Sequence, residues 1–425
     1  MVLHKEKEDA YSQAVASGKY NRENGIHGKY DNVRIYWEDK VTRFFLRPYL
    51  EHLIQLRVKT GKKIRILDLG CGSGDGYELL TDINRSDSKL SDNEIHLITD
   101  DNLDHYKGIE INKDLLNQNV ERWGENSKMQ CVWGDFSQGL PVEKTEQPFD
   151  IYLTSYGALS HLNEEKTVRL FVDIVNHAEN GSILVGDWLG RFSYEWQQLW
   201  NNDLSKEFWM DYVISYIYPA QFRDKVELAS LNLRLLCQEE INRIIKRVRE
   251  ESGVKLELEC LFDRSIFVGR HMDTGDYNLY LKSKQLRRMV NSLFELNYRT
   301  DLNQLLIEYH PHSEMSFLNK FFDQLQFCWN KLIQHTKQLL LEYDEDYGDK
   351  VNNKTKEITT YPDALLNAMQ RMDQTMKGIK YFQQDDLRAN IIEPQLAYVL
   401  RNLEISLQRG IGTGHSIIGI FTIQK

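Results

Sequence analysis

Hydrophobic residues along the chain follow two different spacings, which predict strands and helices in alternation. Short runs that are apolar throughout, or that alternate apolar and polar residues, predict strands. The sequence predicts seven of them, at residues 64–69, 106–111, 129–133, 149–153, 183–188, 254–262 and 415–423. Apolar residues three and four positions apart predict helices over residues 36–53 and 236–252. This alternation is typical of an α/β fold with a largely parallel sheet.

The region between the last two predicted strands shows helical spacing only. Its helical segments fall at residues 286–294, 317–340, 365–376 and 396–407. We therefore predict three parts: an N-terminal helical segment at 1–55, an α/β core at 56–277 and 411–425, and an all-helical insertion at 278–410. A connection that leaves the carboxyl end of a parallel strand emerges at the ligand-binding edge. We expect the insertion to be a lid over that edge, with a helical oligomerisation module as the alternative.

Composition and charge narrow the class of partner. The chain has 425 residues and a formal net charge of −10, with a sequence pI of about 5.7. An acidic chain is a poor match for nucleic acid, which needs a basic groove. The sequence contains no apolar stretch long enough for a membrane span and no signal peptide. Its five scattered cysteines lack metal-ligand spacing and suit a reducing cytoplasm, so we predict a cytoplasmic protein.

A glycine-dense turn follows the first predicted strand. Glycines stand at 70, 72, 74 and 76, and a helical pattern begins directly after them. Glycine lets the main chain approach a ligand closely, and a helix N-terminus favours a negatively charged ligand group. The spacing differs from the G-x-G-x-x-G turn that cradles the pyrophosphate of a dinucleotide. A ligand of another class is therefore expected here.

The turn, Asp-Leu-Gly-Cys-Gly-Ser-Gly at 68–74, resembles the first motif of the class I methyltransferases that use S-adenosylmethionine. The resemblance extends over about residues 30–190. It implies a Rossmann-like seven-stranded sheet whose last strand is antiparallel, with the helical insertion lying between strands six and seven. It also implies that Gly70, Gly72 and Gly74 wrap the methionine part of the cofactor. Asp68 would fix the turn and lie near the amino group of the cofactor.

Later motifs follow in the order of that family. Glu110 ends the second predicted strand, where the resemblance implies a carboxylate on the ribose hydroxyls with Ile111 beside it. Asp135 follows the third strand, where the family places a carboxylate on the adenine amino group, and Phe136 would flank the ring.

Three further segments complete the expected cofactor site. Ser155 and Tyr156 follow the fourth strand and would close the pocket. The resemblance implies that the N-terminal segment covers the cofactor. Tyr30 and Arg43 in that segment are candidates to contact the cofactor carboxylate, with surface roles as the alternative.

Three residues on different strands are the candidates for chemistry. His161 follows strand four, Asp187 ends strand five and His415 opens strand seven, so the topology places all three on one rim. A histidine there can act as general base. Two imidazoles and a carboxylate also suit a divalent metal, with His271 and Gln197 as further candidate ligands. The alternative gives each of these residues a separate structural role.

The aromatic stretch at 188–218 suits the wall of a substrate pocket, or else a core between sheet and cap. Together with the helical insertion, residues 186–196 resemble, more distantly, the metal-dependent methyltransferase domains of polyketide assembly lines. That likeness implies an acceptor that is either a small molecule or a group held on a carrier protein.

The predicted function is thus methyl transfer from S-adenosylmethionine, with a divalent metal as a candidate second cofactor. One alternative is aminopropyl transfer from the decarboxylated cofactor. Those enzymes carry an acidic pocket after strand four, which Ser155-Tyr156-Gly157 does not match. The other alternative is a degenerate binding or scaffold domain, against which the intact glycines, Glu110 and Asp135 all count. The acceptor atom and the oligomeric state stay open.

Overall fold

The computed structural model describes residues 10–20, 28–346 and 361–425, which form one nine-stranded sheet flanked by helices. The strands are β1 Ile64–Leu69, β2 Leu103–Glu110, β3 Met129–Trp133, β4 Ile151–Leu153, β5 Ile183–Gly190, β6 Phe208–Val213, β7 Ser230–Leu236, β8 Lys255–Arg264 and β9 Ser416–Gln424. The helices are α1 Ala10–Ala16, α2 Asp39–Lys59, α3 Asp75–Thr81, α4 Lys113–Trp123, α5 Glu164–His177, α6 Ala220–Arg223, α7 Gln238–Ser252, α8 Leu286–Ser292, α9 Ser316–Asp346, α10 Asp363–Gly378 and α11 Glu393–Leu407. Parts of the predicted N-terminal segment (1–9 and 21–27) and of the predicted insertion (347–360) lie outside the described residues.

The order of the strands is that of a doubly wound sheet with one reversed strand. Strands β3, β2, β1, β4 and β5 are neighbours in that order and run parallel. Strand β9 lies antiparallel beside β5, and β8 lies antiparallel beside β9, so β8 runs in the same direction as β5. The predicted α/β fold and the antiparallel last strand are therefore confirmed.

The prediction of seven strands is wrong, because a hairpin of β6 and β7 adds two more. The physical reason is the length of β4, which has three residues and pairs with β5 only at Ile183 to Val185. The far half of that edge of β5 stays open, and β7 pairs there with Leu189 and Gly190. The aromatic sequence at 188–218 suggested a pocket wall and hid the strand pattern of β6.

Successive residues of each strand point to opposite faces and build two hydrophobic layers. Ile66 and Ile151 belong to one layer, which α2 and the helices between β8 and β9 cover. Leu67 and Leu184 belong to the other layer, which α5 and α7 cover. The loops at the carboxyl ends of the parallel strands stay between these layers and carry the site described below.

The chain between β8 and β9 contains helices α8 to α11, near the positions that the spacing predicted. These helices share one hydrophobic core with the beginning of α2. Trp37, two residues before α2, donates its indole Nε1–H to Oε1 of Glu404 on α11, at 3.2 Å. None of the described helices has the length and apolar character that crossing a membrane requires.

Candidate active site

A cavity of about 590 Å³ opens at the carboxyl ends of the parallel strands. This is the edge at which open α/β sheets bind ligands, and the volume is in the range typical of small-molecule sites. Of the predicted cofactor positions, those that line it are Gly70, Gly72, Glu110, Ile111, Asp135, Phe136, Ser155 and Tyr156. The remaining four, Asp68, Gly74, Tyr30 and Arg43, do not line it.

The glycine turn and the end of β2 are joined by one carboxylate. Oε2 of Glu110 accepts a hydrogen bond from the backbone N–H of Gly72, and Oε1 accepts one from the N–H of Asn112, each at 2.8 Å. Burial raises the pKa of Glu110, although these backbone donors oppose the shift. Each carboxylate oxygen keeps a further lone pair. Glu110 can therefore hold the turn and still accept hydrogen bonds from a ligand.

Asp135 and Tyr156 are each held by a local hydrogen bond. The carboxylate of Asp135 accepts the N–H of Ser137 at 2.8 Å and its hydroxyl at 3.0 Å. Tyr156 has a positive φ of 57°, and its N–H donates to Oδ2 of Asp187 at 2.9 Å. A non-glycine residue with positive φ is strained and is often found at a functional site. The Asp187 bond stabilises this conformation beside the cavity.

Two of the predicted cofactor residues do not line the cavity but hold the glycine turn in its conformation. Asp68 is fully buried, accepts a hydrogen bond from the hydroxyl of Tyr106 and faces Gly76 of α3. Burial raises its pKa to about 7. Gly74 has φ of +86°, and a Cβ there would lie 2.6 Å from Nε1 of Trp123. Both residues therefore shape the turn rather than line the cavity.

The two predicted carboxylate-binding residues have other partners. Arg43 donates to the backbone carbonyls of Glu78 and Leu79 and to Asp82, all at the carboxyl end of α3. Tyr30 donates its hydroxyl to Oδ1 of Asp75 at 2.6 Å. Neither side chain lines the cavity. Other charged groups lie beside the glycine turn.

The charged groups beside the glycine turn are Lys29, Arg34 and Asp75, which the sequence analysis did not single out. Nζ of Lys29 lies 2.7 Å and Nη2 of Arg34 2.9 Å from Oδ2 of Asp75. Burial favours protonation of Asp75, but the two cations hold its pKa well below the usual value. The Arg34 guanidinium lies 3.9 Å from the ring centroid of Tyr156. The position of Asp75, directly after the glycine turn, was the available signal.

Both candidate histidines line the same cavity. Nε2 of His161 lies 3.0 Å from the hydroxyl of Tyr11. Nδ1 of His415 lies 2.6 Å from Oε2 of Glu195, a fully buried residue. Burial raises the pKa of Glu195, but His415, together with His271, holds it below the usual value. Glu195 is thus an ionised partner for His415 that the sequence analysis missed.

Asp187 does not join the histidines at the cavity wall. Its Oδ2 forms an ion pair with Nη2 of Arg264 at 3.0 Å and also accepts the N–H of Tyr156. Burial raises the pKa of Asp187, and Arg264 opposes that shift. Arg264 and the backbone N–H of Tyr156 hold Oδ2 of Asp187 outside the cavity lining, and a catalytic role for Asp187 stays a prediction.

The predicted metal site also finds no set of ligands. Within residues 10–20, 28–346 and 361–425, no three His, Cys, Asp or Glu side chains are grouped so that they could hold a metal ion. His271 is buried among Tyr212, Tyr216 and Tyr277. Gln197 donates to the carbonyl of His310. Together these residues do not fit a metal cofactor.

The lid prediction is not supported by the cavity lining. Residues of the described insertion, 278–346 and 361–410, contribute none of the lining of the larger cavity. Its outer wall comes instead from Tyr11, Tyr20 and the β6–β7 hairpin, through Tyr212, Leu231 and Leu233. A covering role for the insertion stays a prediction.

Comparison with known proteins found no matching family model and no matching curated protein. Similar solved structures include an S-adenosylmethionine-dependent methyltransferase from Clostridium acetobutylicum ATCC 824, with 15% identity over 60% of this chain and 91% of that chain and a TM-score of 0.36. The glycopeptide N-methyltransferase MtfA complexed with S-adenosylmethionine shows 17% identity over 50% and 79%, with a TM-score of 0.33. CalS10, an amino pentose methyltransferase from Micromonospora echinaspora, shows 13% identity over 52% and 85%, with a TM-score of 0.29.

All three are methyltransferases of the kind that the motif series resembles. The assignment of the fold rests on the strand order and on the glycine turn.

Proposed function

We propose that the chain transfers a methyl group from S-adenosylmethionine to an acceptor bound in the larger cavity. The observation that carries this proposal is the contact between Glu110 and Gly72. It places the carboxylate that ends β2 against the glycine turn that ends β1, inside a cavity that Asp135 also lines. The turn and these two acidic groups are the ones that the resemblance to class I methyltransferases assigns to adenosine recognition.

The residues present fit the three parts of the cofactor. Glu110 accepts the ribose hydroxyls, while Asp135 accepts the adenine amino group with Phe136 beside the ring. Lys29 and Arg34 offer positive charge to the amino-acid carboxylate. Asp75, whose low pKa keeps it ionised, holds Lys29 and Arg34 beside the turn. When bound, S-adenosylmethionine supplies a methyl group that its sulfonium already activates.

His415 is positioned to remove the proton from the acceptor. The hydrogen bond to Glu195 fixes the Nδ1–H tautomer, which leaves the lone pair of Nε2 for proton removal. As the bond from the acceptor atom to the methyl carbon forms, the carbon–sulfur bond breaks and sulfur keeps its electron pair. The acceptor proton passes to Nε2 of His415, and Glu195 stabilises the resulting imidazolium.

Binding of S-adenosylhomocysteine, measured by calorimetry, tests the cofactor site. Wild-type protein should bind it, and Glu110→Ala should weaken binding about tenfold or more, because hydrogen bonds to a charged group are lost. Glu143→Ala removes an exposed carboxylate outside the cavity and should bind like the wild type. If wild-type protein does not bind, or if both variants bind equally well, the proposal is wrong.

Incubation with methyl-labelled cofactor and a cell extract separates methyl transfer from the two alternatives. Label that appears on an extract component supports the proposal and identifies a small molecule or a carrier-bound group as acceptor. With methyl-labelled decarboxylated cofactor, release of the label as methylthioadenosine would indicate an aminopropyl transferase. Binding without any transfer would indicate a binding or scaffold domain.

A further inference from the structure

A second cavity, of about 230 Å³, adjoins the larger one. Tyr216 and Arg270 line both cavities and therefore form the wall between them. Arg270 donates to the carbonyls of Gly28 and Lys29, each at 3.1 Å, and its guanidinium lies 5.5 Å from the ring centroid of Tyr216. A ligand that occupies both cavities must therefore pass these two side chains.

The lining of this second cavity, here called the basic cavity, is rich in cations. Its positively charged lining residues are Arg223, Arg270, Lys282, Lys284, Arg287 and Arg288. Carboxylates compensate the buried part of this charge. Arg287 lies 2.7 Å from Asp31 and 2.6 Å from Glu38, and Arg270 lies 3.5 Å from Glu38.

The third carboxylate is Asp273, which accepts the backbone N–H groups of Arg287 and Arg288 at 2.9 and 2.8 Å. Burial raises its pKa to about 6, so it is mostly ionised at pH 7. It caps the first turn of α8, so the remaining positive charge of the basic cavity comes from side chains. Glu308 is a fourth carboxylate, 4.0 Å from Nζ of Lys284. Six cations against Asp31, Glu38, Asp273 and Glu308 leave an excess of two positive charges.

The excess lies on Lys282 and Arg288, and Lys284 beside them is held only by a long ion pair. The carboxylate nearest to Lys284 is that of Glu308, at 4.0 Å. Arg288 donates to the neutral amide of Gln285 at 3.1 Å. Lys282 is exposed and forms no ion pair within the described residues. These three groups can therefore turn to a ligand without breaking a buried ion pair.

We propose that the basic cavity binds a multiply charged anionic group of the methyl acceptor, such as a phosphate ester or a diphosphate. This inference rests on the proposed methyl transfer and names the class of its substrate. A single carboxylate would leave half of the excess charge unmatched, whereas two negative charges match it. On a chain with net charge −10, such a local positive site also attracts anions to this edge. The reacting end of the acceptor then lies beyond Arg270 and Tyr216, toward His415.

Calorimetric titration with inorganic pyrophosphate tests the site. Wild-type protein should bind pyrophosphate, should bind acetate far more weakly, and should lose affinity as salt is added. The double variant Lys282→Glu/Arg288→Glu should bind pyrophosphate about tenfold or more weakly. The double variant Lys246→Glu/Lys377→Glu changes net charge equally at exposed positions outside both cavities and should bind like the wild type.

Titration of the same proteins with S-adenosylhomocysteine separates this inference from the proposed function. Both double variants should keep wild-type affinity for S-adenosylhomocysteine, which also shows that they are folded. If S-adenosylhomocysteine binds but pyrophosphate does not, or if the two double variants lose pyrophosphate affinity equally, the anionic acceptor is excluded while methyl transfer stands. If S-adenosylhomocysteine does not bind the wild type, the proposed function itself is wrong.

Discussion

Nδ1 of His415 lies 2.6 Å from Oε2 of Glu195, although 220 residues separate them in the sequence. Glu195 is buried, and its other oxygen accepts the backbone N–H of His271, so both oxygens of the carboxylate are held. His415 stands directly before β9 and lines the larger cavity. A histidine oriented by a fixed carboxylate at a cavity wall is a suitable general base.

Replacing Glu195 tests this pair. Glu195→Gln should lower kcat for methyl transfer by about 10- to 100-fold, because a neutral amide orients His415 poorly and stabilises its protonated form less. Affinity for S-adenosylhomocysteine should stay at the wild-type value, because Glu195 does not line the cavity.

The control for this prediction is the other histidine of the cavity. His161→Gln should affect kcat less than His415→Gln does. Loss of activity in the His161 variant, with full activity in Glu195→Gln, would assign the general base to His161 instead.

Lys29 is predicted to recognise the amino-acid part of the cofactor. Lys29→Met should weaken binding of S-adenosylhomocysteine about tenfold, since one charge-assisted contact is lost. Binding of methylthioadenosine, which lacks the amino-acid carboxylate, should not change. Lys59→Met, at an exposed position at the end of α2, is the control. Equal losses for both ligands would mean that Lys29 acts through the fold and not through that carboxylate.

Gly76 is predicted to be essential for the packing of the glycine turn. A Cβ at Gly76 would overlap Oδ2 of Asp68 and lie 2.9 Å from Cδ2 of Leu153. Gly76→Ala should therefore lower the melting temperature and weaken cofactor binding, because overpacking a buried site costs about 1–3 kcal/mol. Gly378→Ala, where a Cβ would meet nothing within 4 Å, should leave both unchanged or slightly raise stability. A Gly76→Ala protein as stable as wild type would contradict this packing.

Asp68 should make the free energy of unfolding of the protein depend on pH. Burial raises its pKa from 3.8 to about 7, so the folded state binds the proton more tightly than the unfolded state does. Its contribution to stability therefore falls as pH rises from about 4 to 7. At about 1.36 kcal/mol per pKa unit, the change is on the order of 4 kcal/mol.

Thermal unfolding of Asp68→Asn at several pH values measures this effect. The melting temperature of the variant, relative to wild type, should rise between pH 4 and pH 8. Asp87→Asn, whose side chain is 84% exposed, should show no such trend. A constant difference between Asp68→Asn and wild type across that range would rule out the raised pKa.

How far the sequence predicted the fold depended on the length of the elements. Strands β1, β2 and β3 each fill their pattern with apolar or alternating residues, so their positions were predicted closely. The β6–β7 hairpin was missed because its pairing depends on the free edge that a short β4 leaves on β5. Such an edge exists only in the assembled sheet, so the residues of the hairpin do not predict it.

The sequence likewise predicted one part of the candidate site and missed another. Gly72, Glu110 and Asp135 stand at strand ends, and the periodicity of each strand predicts where it ends. The partners of Arg43 and Asp187, at the end of α3 and on β8, could not be predicted because they come from distant segments. Buried charged groups take the partners that folding brings within reach, and sequence spacing does not give those distances.

The sequence by itself determined the alternating strands and helices, the glycine turn and the acidic residues after β1 to β3, because strand periodicity and glycine conformation are local properties of the chain. Only the tertiary structure decided that Lys29 and Arg34 meet Asp75, that Glu195 orients His415 and that a basic cavity adjoins the larger one. These pairings join segments that are up to 220 residues apart. Their geometry follows from how the layers pack, since burial makes each charged group require a partner.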